Sequence, residues 1–356
     1  AIRVADDINS TNLSLINDLS QTYEPWKTVA EMQVDATILP VGKKVFWQGY
    51  YAESDGGSNW GIVKSGAHTD DGGSIFTLAD GKYVETDDPF INSALVTGLN
   101  IYAPKGTYKC TDTLNVIGNF SGEGKETLFK FYGTSIARLI SKEVTGNLYN
   151  FSVDGANVTA CPTGIYIEAD YEPIREQHSN LTVTNITDAA SPTYGILLVR
   201  FSDDLAIRGN FYFDKCVVKG ITGSSVAKGI IVSFNNESQA NMTIRSCDVQ
   251  DVTPATDGDA IHIVTGAHDD PAADEYQALI ENCYVKSSVP MKRAFKVQWH
   301  NAKVNNNTVI GDNIIIGYDT YSYGCTFDGN TYTSNDAAGE AYNCFNASGT
   351  VISNTN

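Results

Sequence analysis

Leu148-Tyr-Asn-Phe151-Ser-Val153 is the first clear copy of a pattern that decides the fold. It returns as Phe213-Asp-Lys-Cys216-Val-Val218, Ile244-Arg-Ser-Cys247-Asp-Val249 and Ile280-Glu-Asn-Cys283-Tyr-Val285. It ends as Val304-Asn-Asn-Asn307-Thr-Val309 and Phe327-Asp-Gly-Asn330-Thr-Tyr332, with a weaker copy through Leu181-Thr-Val183. The pivot positions 151, 181, 216, 247, 283, 307 and 330 stand 30, 35, 31, 36, 24 and 23 residues apart. Self-similarity at such a period marks a solenoid. A second strand follows each copy: Gly164 to Ile167, Gly195 to Leu198, Gly229 to Val232, Ala260 to Ile263, Ala294 to Val297 and Asn313 to Ile316. Alternate residues in it are always apolar, the period of a strand with one buried face. Like strands therefore stack in parallel from coil to coil. The expected fold is all-β, a parallel β-helix of at least two strands per coil. Stacking at about 4.8 Å per coil gives a rod of roughly 35 Å.

Cys216, Cys247, Cys283, Asn307 and Asn330 form one inward ladder in this scheme. The thiols are expected to pack as small hydrophobes. Their spacing is a coil length, and no Cys-x-x-Cys occurs, so neither metal nor cofactor is expected. The seven cysteines are read as reduced. Several Asn-x-Ser/Thr sequons (at Asn119, Asn150, Asn180, Asn185 and Asn241) are read as products of Asn/Ser/Thr-rich turns.

The 356 residues are 42% hydrophobic, enough for a large core, and a solenoid need not split as it lengthens. Forty-two acidic against 24 basic residues give a net charge of −18, which argues against nucleic acid and anionic membranes as partners. No apolar run approaches a membrane span and no signal-peptide pattern opens the chain, so no membrane insertion is expected.

Three regions follow. Residues 1–40 read as a partly helical arm, with Tyr23 and Trp26 around Pro25, that docks onto something, a neighbouring subunit among the options. Residues 41–88 read as a small β neck or cap of short strands joined by Gly/Asp turns. Residues 89–356 read as the β-helix, which a cap must close at its start.

Three segments together resemble bacteriophage tailspike and tail-fibre depolymerases with a pectate-lyase-like right-handed β-helix. One is the neck, with Trp47-Gln-Gly-Tyr-Tyr51, Trp60-Gly-Ile-Val63 and Leu78-Ala-Asp-Gly-Lys-Tyr-Val84. Another is Ile101-Tyr-Ala-Pro-Lys-Gly-Thr-Tyr108 followed by Gly122-Glu-Gly124, similar to the first coil of that superfamily. The third is the coil repeat. The resemblance implies a homotrimer, joined to a phage tail or baseplate through its N-terminal region, that acts at the bacterial surface on capsule, exopolysaccharide or O-antigen.

Chemistry is expected on the outward positions of the second strand. Its columns align as Tyr166, Leu197, Ile231, His262, Lys296, Ile315 and, further along, Asp170, Phe201, Asn235, Gly266, His300, Asp319. The apolar members suit either sugar stacking or a trimer interface. Glycoside hydrolysis needs two carboxylates, roughly 5 Å apart for retention or about 6.5–9.5 Å for inversion. Glu168, Asp203, Asp204, Asp257 and Asp259 lie near the ends of this strand, and Phe201 offers a stacking platform. Catalytic roles are expected of Asp203, Asp204, Asp259, Glu168 and His262. Substrate-binding roles are expected of Tyr166, Asp170, Phe201, Asp257, Arg293, Lys296 and His300. Asp257, Asp259, His262, Arg293 and Lys296 resemble elements of polygalacturonase-like β-helices. A uronate lyase would instead need a base and a cation, which His262, Lys296 and Arg293 could supply. The acidic loop His268 to Glu275 is read as solvated, as a groove rim or as a calcium loop. Hydrolysis stands first, elimination second, and a non-catalytic receptor-binding or structural spike third.

Overall fold

The computed structural model describes residues 25–48, 59–68, 75–86, 100–103, 105–143, 145–169, 174–199, 208–234, 239–254, 256–265, 277–311, 314–320, 322, 324–333, 340–344 and 350–353. The chain divides into two compact units, Ala1–Asp88 and Pro89–Asn356.

In the first unit a five-stranded sheet runs in the order Pro25–Trp26, Lys44–Trp47, Asn59–Ser65, Lys82–Thr86, Ile75–Thr77. One helix, Val29–Asp35, packs against it. Thr28 caps that helix by accepting from the Glu31 amide, while Glu31 reaches back to the Lys27 amide, a reciprocal arrangement that satisfies otherwise orphaned donors. Val29, Met32 and Ala36, one helical face, close onto Val45, Trp47, Val63, Phe76 and Val84. The segment expected to dock elsewhere thus shares the neck's own core from Trp26 to Leu39. Residues 1–24 lie outside the described residues.

The second unit is a parallel β-helix. Nine parallel strands form one face: Leu114–Val116, Arg138–Lys142, Thr163–Glu168, Thr193–Val199, Val226–Phe234, Asp257–Thr265, Met291–Gln298, Ile314–Thr320 and Glu340–Cys344. The other two faces merge into a 17-stranded sheet. The merger has a local cause. The residue before each pivot takes a left-handed conformation, with φ of 58° at Asn150, 53° at Asn180, 55° at Lys215, 54° at Ser246, 54° at Asn282, 54° at Asn306 and 63° at Gly329. Each sequence repeat therefore bends in its middle and serves two faces. Asn tolerates this conformation best among residues with a side chain, and Asn180 also donates to Asn150 Oδ1 across coils at 2.8 Å.

The core fills as the repeat implies. Ile165, Ile167, Ile196, Leu198, Ile230, Val232, Ile261, Ile263, Phe295 and Val297 are fully buried. Cys216, Cys247 and Cys283 are buried free thiols on the pivot ladder. The ladder ends in two buried asparagines: Asn307 Oδ1 accepts from the Cys283 amide at 2.8 Å, and Asn330 Oδ1 from the Asn307 amide at 2.9 Å. The Ile314–Thr320 strand departs from the expected register. Phe295 pairs with Tyr318 and Lys296 with Asp319, so Asp319, and not Ile315, continues the outward column. Aromatic packing sets this choice: Phe295, Tyr318 and Tyr342 stack face to face with centroids 5.0 and 5.1 Å apart.

Two adjacent coils carry charge inside the rod. Lys142 pairs in the ladder with inward Ile167, and His178 with inward Leu148 and Phe213. Lys142 Nζ lies 2.9 Å from Glu176 Oε1, and His178 Nε2 lies 3.3 Å from Glu176 Oε2. All three side chains are fully buried. The Leu148 amide donates to His178 Nδ1 and the Gly146 amide to Glu176 Oε1, both at 3.3 Å. Among the described residues no helix is long and apolar enough to cross a membrane.

Candidate active site

Strict alternation would put Asp259 on the buried side with Ile261 and Ile263. The strand does not alternate there. Register pairs Lys228 with Asp259 and Ile230 with Ile261, and also Asp259 with Arg293 and Ile261 with Phe295, skipping Gly229, Ala260 and Ala294. A Cβ on Gly229 would stand 2.5 Å from the Ala260 carbonyl and 2.5 Å from a Val249 methyl in the core. That slot points inward beside an inward neighbour, so only a very small residue fits. The step turns Lys228, Asp259 and Arg293 to the outer face, next to His262 and Lys296.

The resulting cluster spans five strands, from Val226–Phe234 to Glu340–Cys344. Arg293 Nε donates to Asp259 Oδ1 at 2.5 Å, its Nη2 to Asp257 Oδ1, and its Nη1 to Asp319 Oδ2 at 3.5 Å. Asn343 donates to the other Asp319 oxygen at 3.0 Å. Asp259 Oδ2 lies 3.3 Å from Lys228 Nζ and 3.2 Å from His262 Nδ1, in ion-pair range but without hydrogen-bond alignment. Lys228 Nζ stands 2.5 Å from His262 Nδ1, and His262 Nε2 stands 2.9 Å from Gln298 Oε1. These contacts assign Nδ1 as the acceptor and Nε2 as the protonated donor. Lys292 Nζ lies 3.4 Å from Asp257.

Most of this set is buried: Asp259 and Asp319 fully, and Arg293, His262 and Lys228 nearly so. The open edge consists of Asp257, Lys292, Lys296 and Gln298. Burial raises the Asp259 carboxyl, but His262, Lys228 and Arg293 outweigh it and hold it well below the usual carboxylate range. Burial lowers His262, with Lys228 and Lys296 adding to it against the pull of Asp259. Lys296 is lowered by burial first and then by Arg293 and Lys228, with Asp259 and Asp257 offsetting in part. Arg293 stays a cation, because its three carboxylates overcome its burial. Asp259 therefore cannot serve as a general acid, and His262 has both nitrogens engaged. Among the described residues, no group of three or more His, Cys, Asp or Glu is arranged to hold a metal ion.

No family model matches the chain, and no curated protein matches it. Solved structures do. The enzymatically active domain of tailspike protein 2 of bacteriophage CBA120 is similar at 13% identity and a TM-score of 0.35, covering 94% of this chain and 56% of that one. A tailspike of Acinetobacter baumannii bacteriophage Fri1, a capsular polysaccharide depolymerase, is similar at 11% identity and a TM-score of 0.39, covering 93% and 75%. The A-module of a mannuronan C-5 epimerase of Azotobacter vinelandii is similar at 15% identity and a TM-score of 0.30, covering 75% and 95%. The chain thus spans little more than half the length of the CBA120 domain. These likenesses are distant, and the β-helix is established by the strand ladders themselves.

The expected site residues divide into three groups. Asp257, Asp259, His262, Arg293 and Lys296 come together as described. Tyr166 and Glu168 lie on the same face, three strands from Asp257, about 14 Å at the ordinary strand spacing. That separation is too long for a glycosidase pair. Tyr166 is not a solvent-facing sugar platform. It is buried under the Arg138 guanidinium, 3.4 Å from its ring centre, and donates to Glu168 at 3.1 Å. Burial, helped by the Glu168 charge, pushes its hydroxyl up to about 12. Leu197, Val199 and Ile231 join Tyr166 in a buried apolar strip on this face. His300 is buried just beyond the Met291–Gln298 strand, and its expected column partner Asp319 aligns with Lys296 instead. Asp170, Phe201, Asp203, Asp204 and the acidic loop lie outside the described residues. Sequence reasoning missed Lys228, Gln298 and Asn343 as parts of the cluster, and Lys142, Glu176 and His178 altogether. The Gly229, Ala260, Ala294 column was the available signal for Lys228, since three small residues in one coil position mark a place where alternation breaks.

Proposed function

We propose that this chain binds and depolymerises a bacterial surface polysaccharide at the outer cluster of the nine-stranded face. In this reading it works extracellularly as a homotrimeric phage tail component, with its N-terminal region toward the tail. The observation that carries the reading is the cluster itself. Lys228, Asp259, His262 and Arg293 are held rigidly beneath an open edge of Asp257, Lys292, Lys296 and Gln298. Such a base fixes polar groups for reading sugar hydroxyls and charges.

Hydrolysis, the route first expected, needs an acid that keeps its proton. Arg293 and Lys228 beside Asp259 oppose that role there. β-Elimination is the second route, and Lys296 favours it. Lys296 is a half-buried amine whose neutral form is promoted first by burial and then by Arg293 and Lys228, as a proton-abstracting base requires. Incubation with capsule or lipopolysaccharide tests both. New reducing ends alone indicate hydrolysis. Reducing ends with the ultraviolet absorbance of an unsaturated uronate indicate elimination. Retained binding with neither product would show a receptor spike and overturn the enzymatic reading.

A further inference from the structure

The repeat that builds the rod also leaves it a choice. Neighbouring coils share the apolar alternation and the left-handed bend. A coil that stacked on its next-but-one neighbour, with the coil between looped out, would keep both features, and repeat arrays misassemble in this way. The inner charged group breaks the equivalence at one junction. Lys142 shares its column with Val116, Ile167 and Leu198, Glu176 with Phe211 and Met242, and His178 with Leu148 and Phe213. Its contacts run between coils. Lys142 Nζ reaches Glu176 across 34 residues, the Gly146 amide reaches Glu176 across 30, and the Leu148 amide reaches His178 across 30. The fourth contact, between Glu176 and His178, is local.

We propose that Lys142, Glu176 and His178 act as a register key, which keeps the coils on either side of this junction in sequence order while the rod folds. Looping out the coil of Glu176 would bring the next coil against Lys142, with Phe211 and Phe213 in place of Glu176 and His178. Looping out the coil of Lys142 would bring Val116 to Glu176 in its place. Either error sets a buried charge against apolar side chains and away from its counter-charge, which is strongly unfavourable. At the next junction Ile167, Phe211 and Phe213 hold the equivalent places, and the same errors exchange one apolar contact for another. The group need not add net stability to act in this way. It makes the wrong neighbours worse than the right one, the best-attested use of buried polar groups where repeats can pair out of step.

The test follows amide hydrogen exchange by mass spectrometry in the full chain after refolding from urea, over peptides from the strands Arg138–Lys142, Thr163–Glu168 and Ile174–Asp188. Wild type should give one protected mass envelope for each. The variant Lys142→Met, Glu176→Leu, His178→Phe should give two, the second unprotected and carrying roughly a tenth or more of the signal. That fraction should be present at the first labelling time and stay constant, because a looped-out coil is unprotected from the start, whereas rapid local opening shifts a single envelope gradually. The matched variant one junction on, Ile167→Met, Phe211→Leu, Phe213→Leu, should behave as wild type. A single protected envelope in the first variant would overturn the proposal. An unprotected envelope of equal size in the matched variant would also overturn it, by tracing the effect to altered packing. Failure of the first variant to fold at all would do the same, since the group would then supply stability and not order. The reading of the outer cluster is judged separately, by cleavage.

Discussion

Inside the rod, Lys142, Glu176 and His178 form a closed group; on its outer face, Lys228, Asp257, Asp259, His262, Arg293, Lys296 and Asp319 form an open one. The ingredients match: a lysine, a carboxylate and a histidine in contact, all deeply buried. The inner group balances one cation against one anion, and backbone amides fill its remaining acceptors. The outer group ends at partly exposed side chains, Asp257 and Lys292 among them. Burial and shifted ionisation alone therefore do not mark a site. Access to solvent separates the two groups.

The comparison breaks most easily at Glu176. Glu176→Leu leaves Lys142 buried without its counter-charge and should cost about 3–5 kcal/mol of stability in urea denaturation. Replacing all three as Lys142→Met, Glu176→Leu and His178→Phe should return stability to within roughly 2 kcal/mol of wild type, since apolar packing offsets the lost pair but strands two amides. A triple variant that loses polymer cleavage while remaining folded would give the inner group a role it lacks here.

Asp259→Asn should cost less, about 1.5–3 kcal/mol, because Arg293 keeps Asp257 and Asp319. Its larger effect is on cleavage, through a displaced Arg293, Lys228 and His262.

Two buried histidines, His178 and His262, are lowered in the fold, each chiefly by burial. The unfolded chain therefore binds protons that the native state refuses, and stability should fall as pH drops below about 6.5 toward the carboxylate range. The slope should approach about 1.4 kcal/mol per pH unit for each histidine. His178→Phe should remove about half of it in thermal melts across this window, and an unchanged slope would show that His178 is protonated in the native state.

The smallest effect is at the open edge. Lys292→Gln should change stability by no more than about 0.5 kcal/mol in urea denaturation.

The coil repeat made the β-helix legible, because apolar alternation and pivot spacing are set by the core that every coil shares. The third face was hidden, since the bend inside each repeat falls on Asn, Lys, Ser or Gly and leaves no single-letter signature. The last register was also hidden. Phe295 takes Tyr318 as its stacking partner, although Ile314 and Ile316 offer the simpler alternation. Of the site, Asp257, Asp259, His262, Arg293 and Lys296 were visible as a constellation. Their burial was not, because side-chain exposure depends on the inward Gly/Ala step and on contacts between coils. Lys142, Glu176 and His178 occupy core-facing positions, which composition rules reserve for apolar residues.

The most direct measurement compares Asp259→Asn with wild type for release of new reducing ends from capsular polysaccharide or lipopolysaccharide, with the melting temperature recorded for both. A loss of at least about 100-fold in rate, in the range of removing a group that orders a catalytic constellation, in a protein that still melts cooperatively is the predicted result. Full activity in Asp259→Asn would contradict the placement of function on the outer cluster.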